Sequence, residues 1–272
     1  MNEEYEMEDH STEIISVAIN KRDTDNYSPP KQSANTLFRF FRKFDYLVRT
    51  LENGALIPRY YGENVDYLEI GFHQISYPMI CFCDITVHRL SEHMNLYGDY
   101  GIAFSKSWGI SNGIQPLQYI NKHSLLRHDF TEAFLSAISS NGEGPAVDFL
   151  LSQMLYIKPI EGTMPRDGMD LPKNFTDECE WRYIPKVTPI DLPQIVTEDE
   201  SASIGVLNKT IENNDCCWLK FDLADIKYII LPSEEDVERL CNIINEIIVG
   251  DENLKHRIMT KIILWCDAKE DF

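Results

Sequence analysis

The sequence predicts an α+β fold in a single mixed domain, and three observations support that class. Hydrophobic residues make up 43% of the 272 residues and aromatic residues 11%, which is enough to bury a substantial core. Strand-like and helix-like segments follow one another without the regular alternation of βαβ units. Neither the GxGxxG nor the GxxxxGK(S/T) fingerprint of nucleotide-binding folds is present. We therefore expect one mixed domain over residues 36–272, preceded by an acidic, flexible N-terminal arm over residues 1–35.

The elements follow from the spacing of apolar residues. Short apolar or alternating runs predict strands over residues 37–40, 77–85, 100–108, 116–120, 155–162, 174–185, 216–221 and 226–232. Helical spacing predicts helices over residues 41–54, 86–98, 123–140, 145–154, 201–213, 234–249 and 253–263. Gly54 is expected to end the first helix, and Ser233 with Asp236 resembles a capping box. Residues 55–63 and 162–172 are expected to be loops.

Charge and cysteine content restrict the function and the compartment. A net charge of −19 argues against nonspecific binding to nucleic acid, although an acidic chain can still pair with a basic partner. The seven cysteines include no Cys-x-x-Cys pair, so reduced thiols are expected rather than a disulfide framework or a structural zinc site. The acidic start "MNEEYEMEDH" lacks the basic region of a signal peptide, and the apolar runs are too short to span a bilayer. These features predict a cytoplasmic protein.

The segment "FTDECEWRY" (residues 175–183) places two carboxylates two positions apart. In a single strand, Glu178, Glu180 and Arg182 would share one polar face, with the two glutamates about 7 Å apart. One interpretation is a solvated strand face with a diagonal ion pair. The other is a cleft in which two carboxylates raise each other's pKa and one acts in catalysis, for example by stabilising an oxocarbenium-like centre.

Residues 79–109 contain the densest group of residues suited to ligand binding. Tyr97 and Tyr100 flank glycines, which is typical of a tight turn packed by aromatic rings, or of an aromatic platform for a base or nicotinamide. Lys106 and Trp108 have two interpretations. Lys106 is a surface lysine beside a core tryptophan, or Lys106 contacts a phosphate while Trp108 stacks on a ring of the ligand. Outside this group, Arg59 could bind an anionic ligand or form a salt bridge with Glu63.

The cysteines and histidines of this region favour packing roles. Cys81 and Cys83 share one strand face and are interpreted as small core residues rather than nucleophiles. His73, His88 and His93 do not follow a zinc-binding pattern such as HExxH, so no metal site is expected.

Several segments carry a family resemblance. In order they are "LENGALIPRYYGE", "MICFCDI", "HMNLYGDYGIAFSKSWG", "PLQYI", "DECEWRYIP" and the closing "AKEDF". With these segments the chain resembles the AbiGi family of abortive phage-resistance proteins over about residues 37–272. The resemblance implies a role in bacterial defence against phage, on the antitoxin side of a phage-exclusion pair.

The order of elements also resembles, at the level of the fold, that of ADP-ribosyltransferases, which have a split sheet with flanking helices. This second resemblance implies that Arg39 contacts NAD and that Glu180 is the catalytic glutamate, with Glu178 two residues before it. Cys81 or Cys83 stands where that family has Ser or Thr, and a thiol is a poor hydrogen-bond donor.

Two functions of different classes are therefore expected. In the first, the chain is an ADP-ribosyltransferase-like enzyme or NAD-binding module, in which Arg39 and Lys106 hold the pyrophosphate and a tyrosine stacks on nicotinamide. In the second, it is a non-catalytic antitoxin that opposes a companion toxin, either by binding it or by acting on the same target. The partner is then the companion toxin or another defence protein. NAD is the cofactor that the first function implies, and neither function involves a membrane.

Overall fold

The strands and helices are those of a computed structural model that describes residues 28–31, 33–140, 142–166, 169–198 and 203–270. The strands are β1 (Thr36–Phe41), β2 (Ala55–Leu56), β3 (Arg59–Asn64), β4 (Gln74–Cys83), β5 (Tyr100–Ser105), β6 (Gln115–Pro116), β7 (Gln118–Ile120), β8 (Ile157–Pro159), β9 (Glu161–Arg166), β10 (Met169–Asn174), β11 (Glu180–Tyr183), β12 (Val196–Thr197), β13 (Leu219–Lys220), β14 (Ile226–Leu231) and β15 (Ile262–Leu264). The helices are α1 (Phe44–Asn53), α2 (Leu90–Tyr97), α3 (Lys106–Ser111), α4 (Leu125–Ser140), α5 (Pro145–Met154), α6 (Ile204–Glu212), α7 (Glu234–Ile247), α8 (Glu252–Met259) and α9 (Trp265–Ala268). The mixture of helices with one large sheet confirms the α+β class.

The large sheet has nine strands in the described part of the chain. Its path runs β15-β14-β5-β1-β4-β11-β6, and β3 and β12 also pair with β4. The β14–β15 pair is parallel, whereas the other pairs of this sheet are antiparallel. The ten residues of β4 are almost continuously buried, which explains the apolar run that predicted this strand.

The two faces of this sheet carry different cores. One face packs against α1 and α7, through residues that include Leu37, Phe82, Ile102, Phe104, Leu47 and Leu240. The opposite face packs against α2 and α9, through residues that include Phe38, Cys83, Ala103, Leu90, Met94 and Trp265. The register explains this division, because Phe38 lies opposite both Cys83 and Ala103, and paired residues share a face.

A further core packs against the N-terminal part of β4. Tyr77 and Met79 of that strand pack with Phe130 and Phe134 of α4 and with Met154 of α5. Among the described residues, no helix has both the length and the apolar character that a membrane span needs.

Most predicted helices are confirmed, and their ends follow ordinary capping chemistry. Helix α1 ends at Gly54, which adopts the left-handed conformation (φ 55°). The side chain of Ser233 accepts a hydrogen bond from the backbone N–H of Asp236 at the start of α7. The predicted helix over residues 201–213 is confirmed as α6, although residues 201 and 202 lie outside the described ranges.

Several predictions of local structure were wrong. Residues 55–63, expected to be a loop, form β2 and much of β3. Residues 162–172, also expected to be a loop, lie mostly in the antiparallel pair β9 and β10. The strand expected over residues 100–108 ends at Ser105, whose side chain caps α3. The last predicted helix, 253–263, ends at Met259, and β15 then returns the chain to the sheet.

The predicted N-terminal arm falls largely outside the described residues. Two of its last positions contact the sheet domain: the hydroxyl of Ser33 accepts a hydrogen bond from Lys106 Nζ at 3.1 Å, and the carbonyl of Asn35 accepts one from Lys227 Nζ at 2.9 Å.

Candidate functional site

The segment 175–183 is not a single strand, so the predicted alternation of its side chains was wrong. Phe175–Glu178 form a 3-10 turn, Cys179 follows in the left-handed region (φ 42°), and β11 begins at Glu180. Although they lie in different elements, Glu178 and Glu180 both reach Lys158 of β8.

Lys158 lies between the two glutamates. Its Nζ is 2.9 Å from Oε2 of Glu178 and 2.9 Å from Oε2 of Glu180, and it lies 4.7 Å from the centre of the Phe175 ring. The interpretation as a solvated strand face was wrong, because all three side chains are buried: Glu178 is 3% exposed, Glu180 6% and Arg182 0%. Charged groups at this depth require close partners, because water does not reach them.

Arg182 completes the partners of Glu180. Its Nε donates to Oε1 of Glu180 at 2.6 Å, and its Nη2 lies 3.2 Å from Oε2 of the same carboxylate. Nη2 is also 3.1 Å from Oε1 of Glu63, while Nη1 donates to the hydroxyl of Tyr77 and to the carbonyl of Leu155. Both oxygens of Glu180 are thus occupied by cations.

The charges of this buried network balance. The carboxylates are Glu63, Glu178 and Glu180, and the cations are Lys158, Arg182 and Lys173, whose Nζ lies 3.9 Å from Oε1 of Glu178. Burial alone would raise the pKa of Glu180, but Arg182 and Lys158 outweigh burial and hold that pKa well below its ordinary value. Glu180 therefore remains ionised at neutral pH and is poorly suited to act as a general acid.

An aromatic layer covers the network on the side of α2. The hydroxyl of Tyr97 donates a hydrogen bond to Oε1 of Glu178, and burial and this carboxylate raise the pKa of Tyr97. The ring of His93 lies 4.4 Å from that of Tyr97 and 5.5 Å from that of Phe40. Burial, followed by the charge of Lys173, lowers the pKa of His93 to about 4, so its imidazole is neutral at pH 7.

Arg39 lies beside this network and contacts the middle strand. The contacts of its guanidinium within the described ranges are with the carbonyl of Cys81, at 3.4 Å from Nη1, and with the ring of Phe41, at 5.7 Å. Burial, followed by the charge of Glu180, raises the pKa of Cys81, and burial also raises that of Cys83. Both cysteines are therefore protonated thiols, in agreement with packing roles.

Two comparisons with known proteins reveal relatives of this chain. Residues 55–232 match the family described as "Putative abortive phage resistance protein AbiGi, antitoxin". The chain is also 33% identical over 248 aligned positions to the "Abortive phage resistance protein AbiGi" of Lactococcus lactis subsp. cremoris, a match that covers 80% of this chain and 100% of that protein. The chain belongs to the AbiGi family. No solved structure matches it.

The remaining candidate residues of this AbiGi-family chain lie at separate places. Lys106 is 6% exposed, and its Nζ is 2.5 Å from Oδ2 of Asp84 and 5.6 Å from the centre of the Trp181 ring. Trp108 stacks on Phe104 with ring centres 4.1 Å apart, within the core on the α1 side. The structure therefore places Lys106 and Trp108 outside the buried network around Glu180.

Tyr100 and Arg59 also lie away from the network. The ring of Tyr100 packs against Phe44, and its hydroxyl lies 3.4 Å from Oδ2 of Asp236. Arg59 pairs with Glu212 at 2.8 Å, whereas the salt bridge considered from sequence was with Glu63. Of the predicted ligand-binding residues, the structure brings only Tyr97, and Arg39 more loosely, to the two glutamates.

Sequence reasoning missed five members of the network: Lys158, Lys173, Glu63, Tyr77 and Tyr119, whose hydroxyl accepts a hydrogen bond from the backbone N–H of Glu180 at 2.8 Å. The signal for Lys158 is its position in the apolar run "LYIKPI", where a lone lysine in a buried strand needs a carboxylate partner. The described residues contain no cluster of three or more His, Cys, Asp or Glu that could hold a metal ion.

Proposed function

We propose that this AbiGi-family chain is a non-catalytic antitoxin that neutralises a companion toxin by direct protein–protein binding. The observation that carries the proposal is that Glu180, the residue on which the catalytic hypothesis depends, is buried and paired with two cations. It is 6% exposed, and its two oxygens are held by Arg182 and Lys158 at 2.6 to 3.2 Å. A carboxylate already neutralised by two cations is a weak stabiliser for a developing positive charge on a substrate.

Two further properties support binding as the mode of action. The description of the matching family includes the word antitoxin, and the Lactococcus relative is named as an abortive phage resistance protein. The net charge of −19 would accelerate association with a basic partner, in a manner that weakens as salt is added. The same charge opposes a direct action on nucleic acid through nonspecific phosphate contacts.

The second candidate is an ADP-ribosyltransferase-like, NAD-binding module. The hydrogen bond between Tyr97 and Glu178, with the His93 ring tilted against that of Tyr97, supports it, because aromatic rings and a carboxylate meet at one place. Arg39 is the nearby group suited to a phosphate. For this function, NAD would have to reach Glu180 and compete with Lys158 for its Oε2 atom.

The test compares neutralisation with NAD chemistry. The companion toxin, taken as the product of the gene adjacent to that of this chain, is co-expressed with the chain in bacteria, and growth and complex formation by size-exclusion chromatography are measured. We expect restored growth and a stable complex with the wild type. In parallel, calorimetry with NAD and an assay of nicotinamide release compare the wild type with Glu180→Gln.

The outcomes separate the two candidates. Restored growth, together with the absence of heat and of nicotinamide release, supports the antitoxin. Nicotinamide release by the wild type that is lost in Glu180→Gln, at a temperature where melting curves show both proteins folded, supports the transferase-like module instead. A wild type that neither binds the companion toxin nor restores growth overturns the proposal of an antitoxin.

A further inference from the structure

A groove lies between α7, the end of α8 and β15. Unlike the buried network, in which carboxylates pair with cations, its charged lining residues are exposed carboxylates. Its cavity has a volume of about 430 Å³. The wall formed by α7 consists of Glu234, Val237, Glu238, Cys241 and Asn242. These positions are spaced i, i+3, i+4, i+7 and i+8, so they form one continuous face of the helix.

This face of α7 is distinct from the face that packs into the core. Leu240 and Ile244 are buried against the sheet. Arg239 points elsewhere, since it pairs with Asp236 at 3.1 Å and lies 4.2 Å over the ring of Phe44. The groove therefore receives no cation from the arginine of α7.

The floor of the groove is apolar. Met259, at the end of α8, and Ile262 of β15 line it, and both are only partly buried. Strand β15 is also the terminal strand of the large sheet, paired with β14 on one side. Partly exposed apolar side chains in a concavity next to a sheet edge are typical of surfaces that bind another chain.

The rim of the groove is acidic, and in the part of the chain that the structure describes only the helix dipole, at the first turn of α7, offsets the charge of Glu234. Glu234 and Glu238 are exposed, and neither has an ion-pair partner within the described ranges of the chain. Like charges at i and i+4 destabilise a helix by roughly 0.2–0.5 kcal/mol. A bound cation would remove this repulsion, so the rim favours a ligand that carries Lys or Arg.

From these features we infer that the α7–β15 groove is the docking site for a segment of the companion toxin in which an apolar side chain is flanked by Lys or Arg residues. The apolar side chain fills the space above Met259 and Ile262, and the flanking cations pair with Glu234 and Glu238. The inference rests on the proposed antitoxin function and gives that function a surface and a partner chemistry.

The first experiment reverses the charge of the rim. The affinity of the chain for the purified companion toxin is measured by calorimetry for the wild type and for Glu234→Lys/Glu238→Lys. We expect binding to weaken at least about tenfold, because like charges then face each other across the interface. Raising the salt concentration from 50 to 500 mM should weaken wild-type binding more than binding of the variant.

A matched control changes the same net charge at another surface. In Asp148→Lys/Glu132→Lys, Asp148 is exposed in the first turn of α5, as Glu234 is in α7, and Glu132 is exposed within α4, as Glu238 is within α7. This control should bind the toxin within about threefold of the wild-type affinity, since distant surface charges act mainly on the association rate. If both double variants weaken toxin binding equally, the groove is not the docking site, and the net charge of the chain alone explains the loss of affinity.

The second experiment needs no variant and therefore does not depend on folding. Cys241 is half-buried in the groove, whereas Cys216 is exposed and does not line the groove. Alkylation of the wild type, followed by mass spectrometry of its peptides, should show at least about fivefold slower modification of Cys241 when toxin is bound, with Cys216 unchanged.

The failures are distinguishable. If the wild type binds the toxin but Cys241 is not protected and the rim variant binds normally, the groove is wrong and the antitoxin function stands. If the wild type does not bind the toxin, both the docking site and the proposed antitoxin function are refuted.

Discussion

Replacement of Glu180 by glutamine tests the buried charge network directly. The side chain keeps its shape but loses its charge, so Lys158 and Arg182 remain buried with one compensating carboxylate fewer. Breaking a buried ion pair by removing one partner costs about 3–5 kcal/mol. Because Glu180 binds two cations and is 6% exposed, we expect Glu180→Gln to lose about 4 kcal/mol of unfolding free energy.

Glu63→Gln is the matched control for this substitution. Glu63 also pairs with Arg182, at 3.1 Å, but its side chain is 23% exposed. Water can replace part of this interaction, so Glu63→Gln should cost about 1 kcal/mol.

The assay is equilibrium unfolding in urea at pH 7.5, followed by circular dichroism, with the free energy obtained from the midpoint and slope of each transition. A loss below about 1 kcal/mol for Glu180→Gln would refute the reasoning, since the carboxylate would then not be required by its buried cations.

The remaining predictions concern a histidine and a glycine. The pKa of His93 in the folded protein is about 4, against 6.5 for an unperturbed histidine, so the unfolded chain takes up the proton first as the pH falls. The free energy of unfolding should therefore decrease by about 2 kcal/mol between pH 7 and pH 5. In urea titrations, His93→Phe should largely remove this decrease. An equal decrease in the variant would contradict the assignment to His93. At Gly98 (φ 129°) a Cβ atom would lie 2.2 Å from the carbonyl oxygen of Phe41, so Gly98→Ala should cost at least about 3 kcal/mol by thermal unfolding. Gly71→Ala, at φ 90° but with open space around it, should cost about 1 kcal/mol, and equal losses at the two positions would argue against the clash.

The elements that sequence predicted well are those whose local pattern and burial agree. Helix α1 has apolar residues at helical spacing and a glycine at its end, and α7 has a serine cap before its apolar face. Strand β4 is buried almost throughout and therefore has an apolar sequence. In each case the signal lies within about 15 consecutive residues, which is the range over which pattern reasoning works.

The elements that were missed depend on distant partners. Strand β3, "RYYGEN", is mostly polar and becomes a strand because it pairs along six residues of β4. Strand β15 has only three residues and forms by pairing with β14, after the chain has crossed α7 and α8. Neither pairing leaves a local signal.

The candidate site shows the same limit. The spacing of Glu178 and Glu180 singled out two residues that the structure brings together on Lys158, but it did not predict the 3-10 turn and the left-handed Cys179 between them. Their environment depends on Lys158, about twenty residues earlier in the chain, which the spacing of the two glutamates does not reveal. One sequence cannot reveal such a partner unless the lysine in a buried strand is itself taken as the signal.

The position of β1 in the large sheet has a consequence for the order in which the protein can assemble during synthesis. The strands on either side of β1 are β5 and β4, and all three are complete by Ser105. A three-stranded antiparallel unit can therefore form while more than half of the chain is still to be translated. Strands β11 and β14, which are synthesised later, extend this unit at its two opposite edges. Along this path, the central strands of the sheet are therefore synthesised before the outer ones.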